Sequence, residues 1–143
     1  MRPVLVFDNE TVVDADMARR VVGDPALSDP DALARVAPPR NEGEAYSFPK
    51  PLYHRVVEIS VCVVNAEGKV ETLKPLRTTA DERTLLHAFW SGFGRHSGTR
   101  LVTYNGRKFD LPVLVQRALA NGVSPAPWWT GDYRQRFRDS HLD

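Results

Sequence analysis

Val4-Leu5-Val6-Phe7-Asp8-Asn9-Glu10-Thr11 is the stretch that decides how this chain folds. Four consecutive apolar residues read as a buried strand. The run breaks into Asp8 and Glu10, two acids separated by one residue. A strand repeats its facing every two residues, so both carboxylates project from the same side. Acids so close repel, which raises their pKa values unless a cation lies between them. Hard oxygen ligands of this kind suit Mg²⁺ or Mn²⁺. The same residues also read as a buried strand emerging into solvent, and the pair alone does not separate the two.

Downstream, the pattern turns helical from Asp14 to about Ala37, with Ser28 or Asp29 as a cap and Pro30 in a first turn. Pro38-Pro39 ends it, and Gly43, Pro49 and Pro51 punctuate a loop. Residues 14–51 therefore read as an insertion or flap, too small for a core of its own. His54 to Val64 is the longest β-like stretch, with Val57, Ile59, Val61 and Val63 expected on one face. Asn65-Ala66-Glu67-Gly68 reads as a hairpin connection to a second strand, Lys69 to Leu76. Asp81 to Phe93 reads as a helix ended by Gly92, Gly94 and Gly98, and Leu101 to Tyr104 as another strand.

The turn Asn105-Gly106-Arg107-Lys108-Phe109-Asp110 leads into a helix whose Leu111, Leu114, Val115, Ala118 and Leu119 form an apolar stripe. Asp110 stands where an N-cap belongs, a role worth about 1 kcal/mol. It also stands at the mouth of a strand-to-helix turn, where sites gather in open α/β sheets. The order of elements mixes hairpin pairing with crossover units. That order predicts an α/β fold with a mixed β-sheet.

Composition sets the outer bounds. The chain has 143 residues, 42% hydrophobic and 26% charged, which excludes intrinsic disorder and fits one domain. A single cysteine, Cys62, forms no internal disulfide, and the first apolar run is too short for a signal peptide or membrane span. A cytoplasmic protein without membrane partners is the expectation. Residues 1–50 carry six basic and nine acidic groups, whereas residues 95–143 carry eight basic and four acidic. An acidic part suits cations, and a basic part suits phosphates or merely solvates a surface.

Asp8-x-Glu10 followed far downstream by Asn105-x-x-x-Phe109-Asp110 resembles the first two motifs of the DEDD 3′–5′ exonucleases, which have the ribonuclease-H-like fold. The context is closer still to the predicted exonuclease family related to the proofreading domain of family B DNA polymerases. It comprises Phe7-Asp8-Asn9-Glu10-Thr11, His54 to Ser60, Tyr104 to Leu114, Arg136-Phe137 and His141-Leu142-Asp143. The resemblance implies a ribonuclease-H-like mixed sheet flanked by helices, and metal-assisted hydrolysis of terminal phosphodiesters, with single-stranded DNA as the substrate. It implies that Asp8 bridges two divalent ions, Mg²⁺ or Mn²⁺, that Glu10 helps hold the ion carrying the attacking water, and that Asp110 serves the second. Asn105 and Phe109 would shape the turn or touch the nucleic acid, and Arg107 and Lys108 would meet its phosphates. Trp128, Trp129 and Tyr133 offer stacking surfaces or packing, and Arg134, Arg136 and Arg138 a basic stripe or a solvated face.

The family's third motif, Tyr-x-x-x-Asp or His-x-x-x-x-Asp, is absent. Phe137 stands four residues after Tyr133, and Ile59, Gly92 and Leu101 stand five after His54, His87 and His96. Neither Asp139 nor Asp143 fits the spacing. The expectation is therefore a partial, C-terminally truncated exonuclease domain over residues 1–143, lacking the final helix. Such a domain would be weak or inactive, with a sheet face exposed for oligomerisation. The alternatives are a catalytically incomplete nucleic-acid-binding module and an unrelated cation-binding domain.

Overall fold

The computed structural model describes residues 2–76, 81–96, 98–125 and 139–143. Five strands form one mixed sheet in the order β3-β2-β1-β4-β5. The first strand, β1 (Val4–Val13), does not stop at Phe7 but carries Asp8 and Glu10 within it. It continues because β2 (His54–Val64) pairs antiparallel with its whole length, from Val4 opposite Val64 to Val13 opposite His54. On its other side β1 pairs parallel with β4 (Arg100–Val102), but only over Val4–Val6. β3 (Val70–Leu76) forms the hairpin with β2. Its turn is held by the Asn65 side chain, which accepts from the Glu67 and Lys69 backbone N–H groups, and by Gly68 at φ 82°.

The alternation expected in β2 is interrupted. Glu10 faces Glu58 while Thr11 faces Val56, so Val57 is an extra residue in the ladder. Such a bulge flips the facing of everything beyond it. Val56 is thus buried on the same face as Ile59 and Val63, and Val57 is 41% exposed.

Two helices cover that face. α3 (Glu82–Arg95) is capped by Asp81, which accepts from the Thr84 N–H at 2.9 Å. It runs through Gly92 and Gly94 instead of ending there. Two helical glycines cost about 1 kcal/mol each. Burial of Phe89, Trp90 and Phe93 against the sheet, with Phe89 edge-on to Phe7 at 5.1 Å, outweighs that cost. α4 (Asp110–Ala120) buries Leu111, Val113, Leu114, Val115 and Ala118, while Leu119, expected in the stripe, is 57% exposed. β5 (His141–Leu142) adds parallel to β4.

Residues 14–51 lie between β1 and β2 and contain α1 (Ala15–Val22), capped by Asp14, and α2 (Asp29–Val36), capped by Ser28. Contrary to expectation this segment gathers a small apolar cluster of Met17, Ala18, Ala32 and Leu33. Tyr53, in the 3₁₀ turn Pro51–Tyr53, completes it. No described helix is long and apolar enough to cross a membrane. Trp128, Trp129, Tyr133 and the arginines Arg134, Arg136 and Arg138 lie outside the described residues.

Candidate active site

Beyond Val6, β1 leaves the shelter of β4 and projects along one edge of the mouth where the chain turns into α4. Asp8 and Glu10 are exposed on one face of that projection, and Asn9 is buried on the other. The Val57 bulge lies directly beside Glu10, a common position for a bulge next to a working site.

Asp110 is not the N-cap of α4. Phe109 occupies that position without a side-chain hydrogen bond, and Asp110 is the first helical residue. The start of the helix is satisfied by backbone, with Leu111 N–H donating to the Gly106 carbonyl at 2.9 Å. The Asp110 carboxylate is therefore spared from capping. It is 6% exposed and is reached by the backbone N–H of Asn9, which ties it to β1 between the other two acids. Burial, and next the charge of Asp8, push its pKa up to about 6 from 3.8, against the pull of the N–H groups of Asp110 itself and Asn9. Asp8 and Asp110 are thus brought together, with Glu10 on the side of β1 that Asp8 occupies.

The expected closure of all three acids into one cluster is not reached. Among the described residues no three His, Cys, Asp or Glu side chains stand close enough to hold a metal ion. The chemistry of the donors nonetheless fits a hard divalent cation. All are carboxylate oxygens, and Asp110 carries an electrostatic penalty that a positive charge relieves.

In the turn, Asn105 adopts a left-handed backbone at φ 56°, and its carbonyl accepts from the Lys108 and Phe109 N–H groups. Lys108 is exposed. Arg107 is tied back, its guanidinium donating to the His141 carbonyl. Phe109 is half-buried, in ring contact with His54 at 5.0 Å and with the exposed Phe48 at 5.6 Å. His54 orders the start of β2 through Nε2 and the Pro49 carbonyl at 3.1 Å. Burial holds its pKa below the usual value, the Pro49 contact opposing and the nearby Arg117 charge assisting.

Asn9 is a feature that the sequence pattern does not single out. Its side chain is buried, yet neither Oδ1 nor Nδ2 finds a partner among the described residues. An unpaired buried amide costs about 1–3 kcal/mol. Asn9→Leu is accordingly expected to raise stability by about that amount. A urea midpoint that does not rise in the variant would contradict it.

A model of the family described as predicted 3′–5′ exonucleases related to the exonuclease domain of PolB matches residues 46–143. The chain belongs to this family. Among solved structures, this exonuclease-family chain is similar to the family B DNA polymerase of the hyperthermophilic archaeon Pyrobaculum calidifontis. The TM-score is 0.51 at 21% identity, covering 87% of this chain and 12% of the polymerase. It is similar also to E. coli exonuclease I in complex with a dT13 oligonucleotide, with TM-score 0.57 and 16% identity, over 100% of this chain and 28% of that one. An exonuclease I complex with SSB-Ct gives TM-score 0.58 at 15% identity, with the same coverage. The chain thus spans a small share of these proteins' length. The likenesses establish the ribonuclease-H-like mixed sheet. No curated protein matches the chain.

Proposed function

We propose that this exonuclease-family domain removes nucleotides from the 3′ end of single-stranded DNA, with Asp8, Glu10 and Asp110 holding two divalent ions, Mg²⁺ or Mn²⁺. The observation that carries the reading is the meeting of β1 and α4. The Asp110 carboxylate accepts from the backbone of Asn9, the residue flanked by Asp8 and Glu10. Similarity to an exonuclease I bound to a dT13 oligonucleotide favours single-stranded DNA as the polymer.

Divalent ions, when bound at such acids, make hydroxide available near neutral pH and stabilise charge on the departing 3′-oxygen. The chain's own share is placement. Asp8 and Glu10 face the open side of β1, and Asp110 is fixed at the first position of α4. Exposed Lys108 is positioned to meet a phosphate, while Arg107, engaged with His141, adds its charge nearby. Within residues 111–143 no acid stands at the spacing of the third motif. Asp139 is paired with Arg100, and the Asp143 carboxylate is committed to the turn.

The test is a 5′-labelled single-stranded oligonucleotide incubated with the protein and Mn²⁺. A ladder shortening from the 3′ end, and absent with Asp8→Ala, is the expected result. No ladder, together with equal DNA binding by wild type and Asp8→Ala, would replace the enzyme with a nucleic-acid-binding module.

A further inference from the structure

We propose that Asp143 is a positioning residue that fixes the turn carrying Asp110, and so sets the affinity of the site for a divalent cation. The inference rests on the reading of Asp110 as a cation-holding residue and assigns the device that holds it in place.

The geometry begins with the β4–β5 ladder. Val102 lies opposite Leu142, and Thr103 N–H donates to the Leu142 carbonyl at 3.0 Å, so Asp143 emerges beside the start of the turn. Its Oδ1 accepts from the Thr103 hydroxyl at 2.7 Å and from the Gly106 N–H at 2.5 Å. Its Oδ2 accepts from the Arg107 N–H at 3.3 Å. Both carboxylate oxygens are thus spent on the turn. Burial of the group acts to raise its pKa, but these three hydrogen bonds prevail and hold it below the usual carboxylate value.

Thr103 Oγ1 also lies 2.8 Å from Nε2 of the buried His141. A hydroxyl has one proton. Given to the carboxylate, the stronger acceptor, it leaves the oxygen to accept from His141 Nε2–H. His141, in β5, and Asp143, the residue that follows that strand, thereby grip Thr103 together.

The grip passes to Asp110 through Gly106. The Gly106 N–H is held by Asp143, and the Gly106 carbonyl receives the N–H of Leu111, the residue after Asp110. Contact between Gly106 and Thr103 is so close that a Cβ on Gly106 would lie 2.4 Å from Thr103 Oγ1. The turn therefore has little room to shift without carrying the first turn of α4 with it.

Titration of the full chain with Mn²⁺ alone, followed by electron paramagnetic resonance of the free ion, reads the effect. Supporting residues around metal ligands typically alter affinity 10–100-fold. Asp143→Ala is expected to weaken Mn²⁺ binding about tenfold. Asp143→Asn keeps an acceptor for Thr103 and Gly106 and is expected to restore most of it. Should Asp143→Ala fail to fold, Thr103→Val and its conservative counterpart Thr103→Ser provide the same comparison. Unchanged Mn²⁺ affinity in Asp143→Ala, or an Asn variant no better than the Ala variant, would overturn the positioning role. Asp110→Ala in parallel keeps the two readings apart. If it too binds Mn²⁺ like wild type, the site itself is misassigned, whereas loss there with no change at Asp143 refutes this inference alone.

Discussion

Asp110→Asn is expected to lower the proposed Mn²⁺-dependent nuclease activity by about 10²-fold, the equivalent of losing a few kcal/mol of charge stabilisation by the ions it would hold. It should make the folded protein more stable at the same time. The two effects share one cause. Burial first, and Asp8 second, raise the Asp110 pKa from 3.8 to about 6, so the folded chain binds this proton more tightly than the unfolded chain does. The stability tied to that proton is complete below 3.8 and is lost as pH rises through about 6. At neutral pH the ionised group costs the folded state on the order of 3 kcal/mol, by the conversion of pKa shift to free energy. An amide carries no charge and escapes the cost. Thermal melting in EDTA between pH 3 and pH 8 checks this. The variant should match wild type in acid and melt on the order of 10 °C higher above pH 6. Added Mn²⁺ should raise only the wild-type midpoint. A variant that melts below wild type at pH 8 would remove the electrostatic account of the site.

Arg117→Met is expected to be the most damaging single substitution for the fold, at about 3–5 kcal/mol. Arg117 is 2% exposed, in α4. Its Nε and Nη2 donate to both oxygens of Glu82 at 2.9 and 2.6 Å, and its Nη1 donates to the Leu52 carbonyl at 2.9 Å. Nη2 also lies 2.8 Å from Asp14, which caps α1. Glu82 in turn accepts from the Val56 N–H, next to the bulge in β2, and from Asn121. One guanidinium therefore joins the segment between β1 and β2, the bulged strand and both core helices. Removing it strands two buried carboxylates without a cation. If orphaned charge carries the cost, adding Glu82→Gln to Arg117→Met should recover part of the loss in a urea titration. Equal stability of Arg117→Met and wild type would refute the network's role.

Much of the fold was legible because local rules and tertiary packing agree. The Asn65–Gly68 hairpin, the Ser28 cap and the α4 stripe from Leu111 to Ala118 all stand as their patterns predict. Disagreement arises where a long-range partner decides. Phe7 reads as a strand end in isolation, but β2 pairs with β1 as far as Val13. Val57 continues a clean alternation in sequence, and only the offset between Glu10 and Thr11 reveals it as a bulge. Gly92 and Gly94 look like terminators until the aromatic packing of α3 is known.

The candidate site divides in the same way. Spacing alone places Asp8 and Glu10 on one side. The proximity of Asp110 to Asp8 followed from motif order, but its freedom from capping did not, since an aspartate before an amphipathic helix normally caps it. The orphaned amide of Asn9 leaves no local trace. The grip of Asp143 on Gly106 depends on β5 joining the sheet, which two residues of strand scarcely announce.

The reach of β1 has a consequence for biosynthesis. The antiparallel partners follow it in order, β2 after the α1–α2 segment and β3 after a short hairpin turn, and all three strands are synthesised before Asp110 is made. Parallel pairing with β4 must wait for a crossover and for closure of a long stretch of chain. A nascent chain thus displays its acidic pair while still unable to assemble the complete constellation. The meeting of Asp110 with the Asp8 side of β1 therefore arrives with the late elements and not with the early strands.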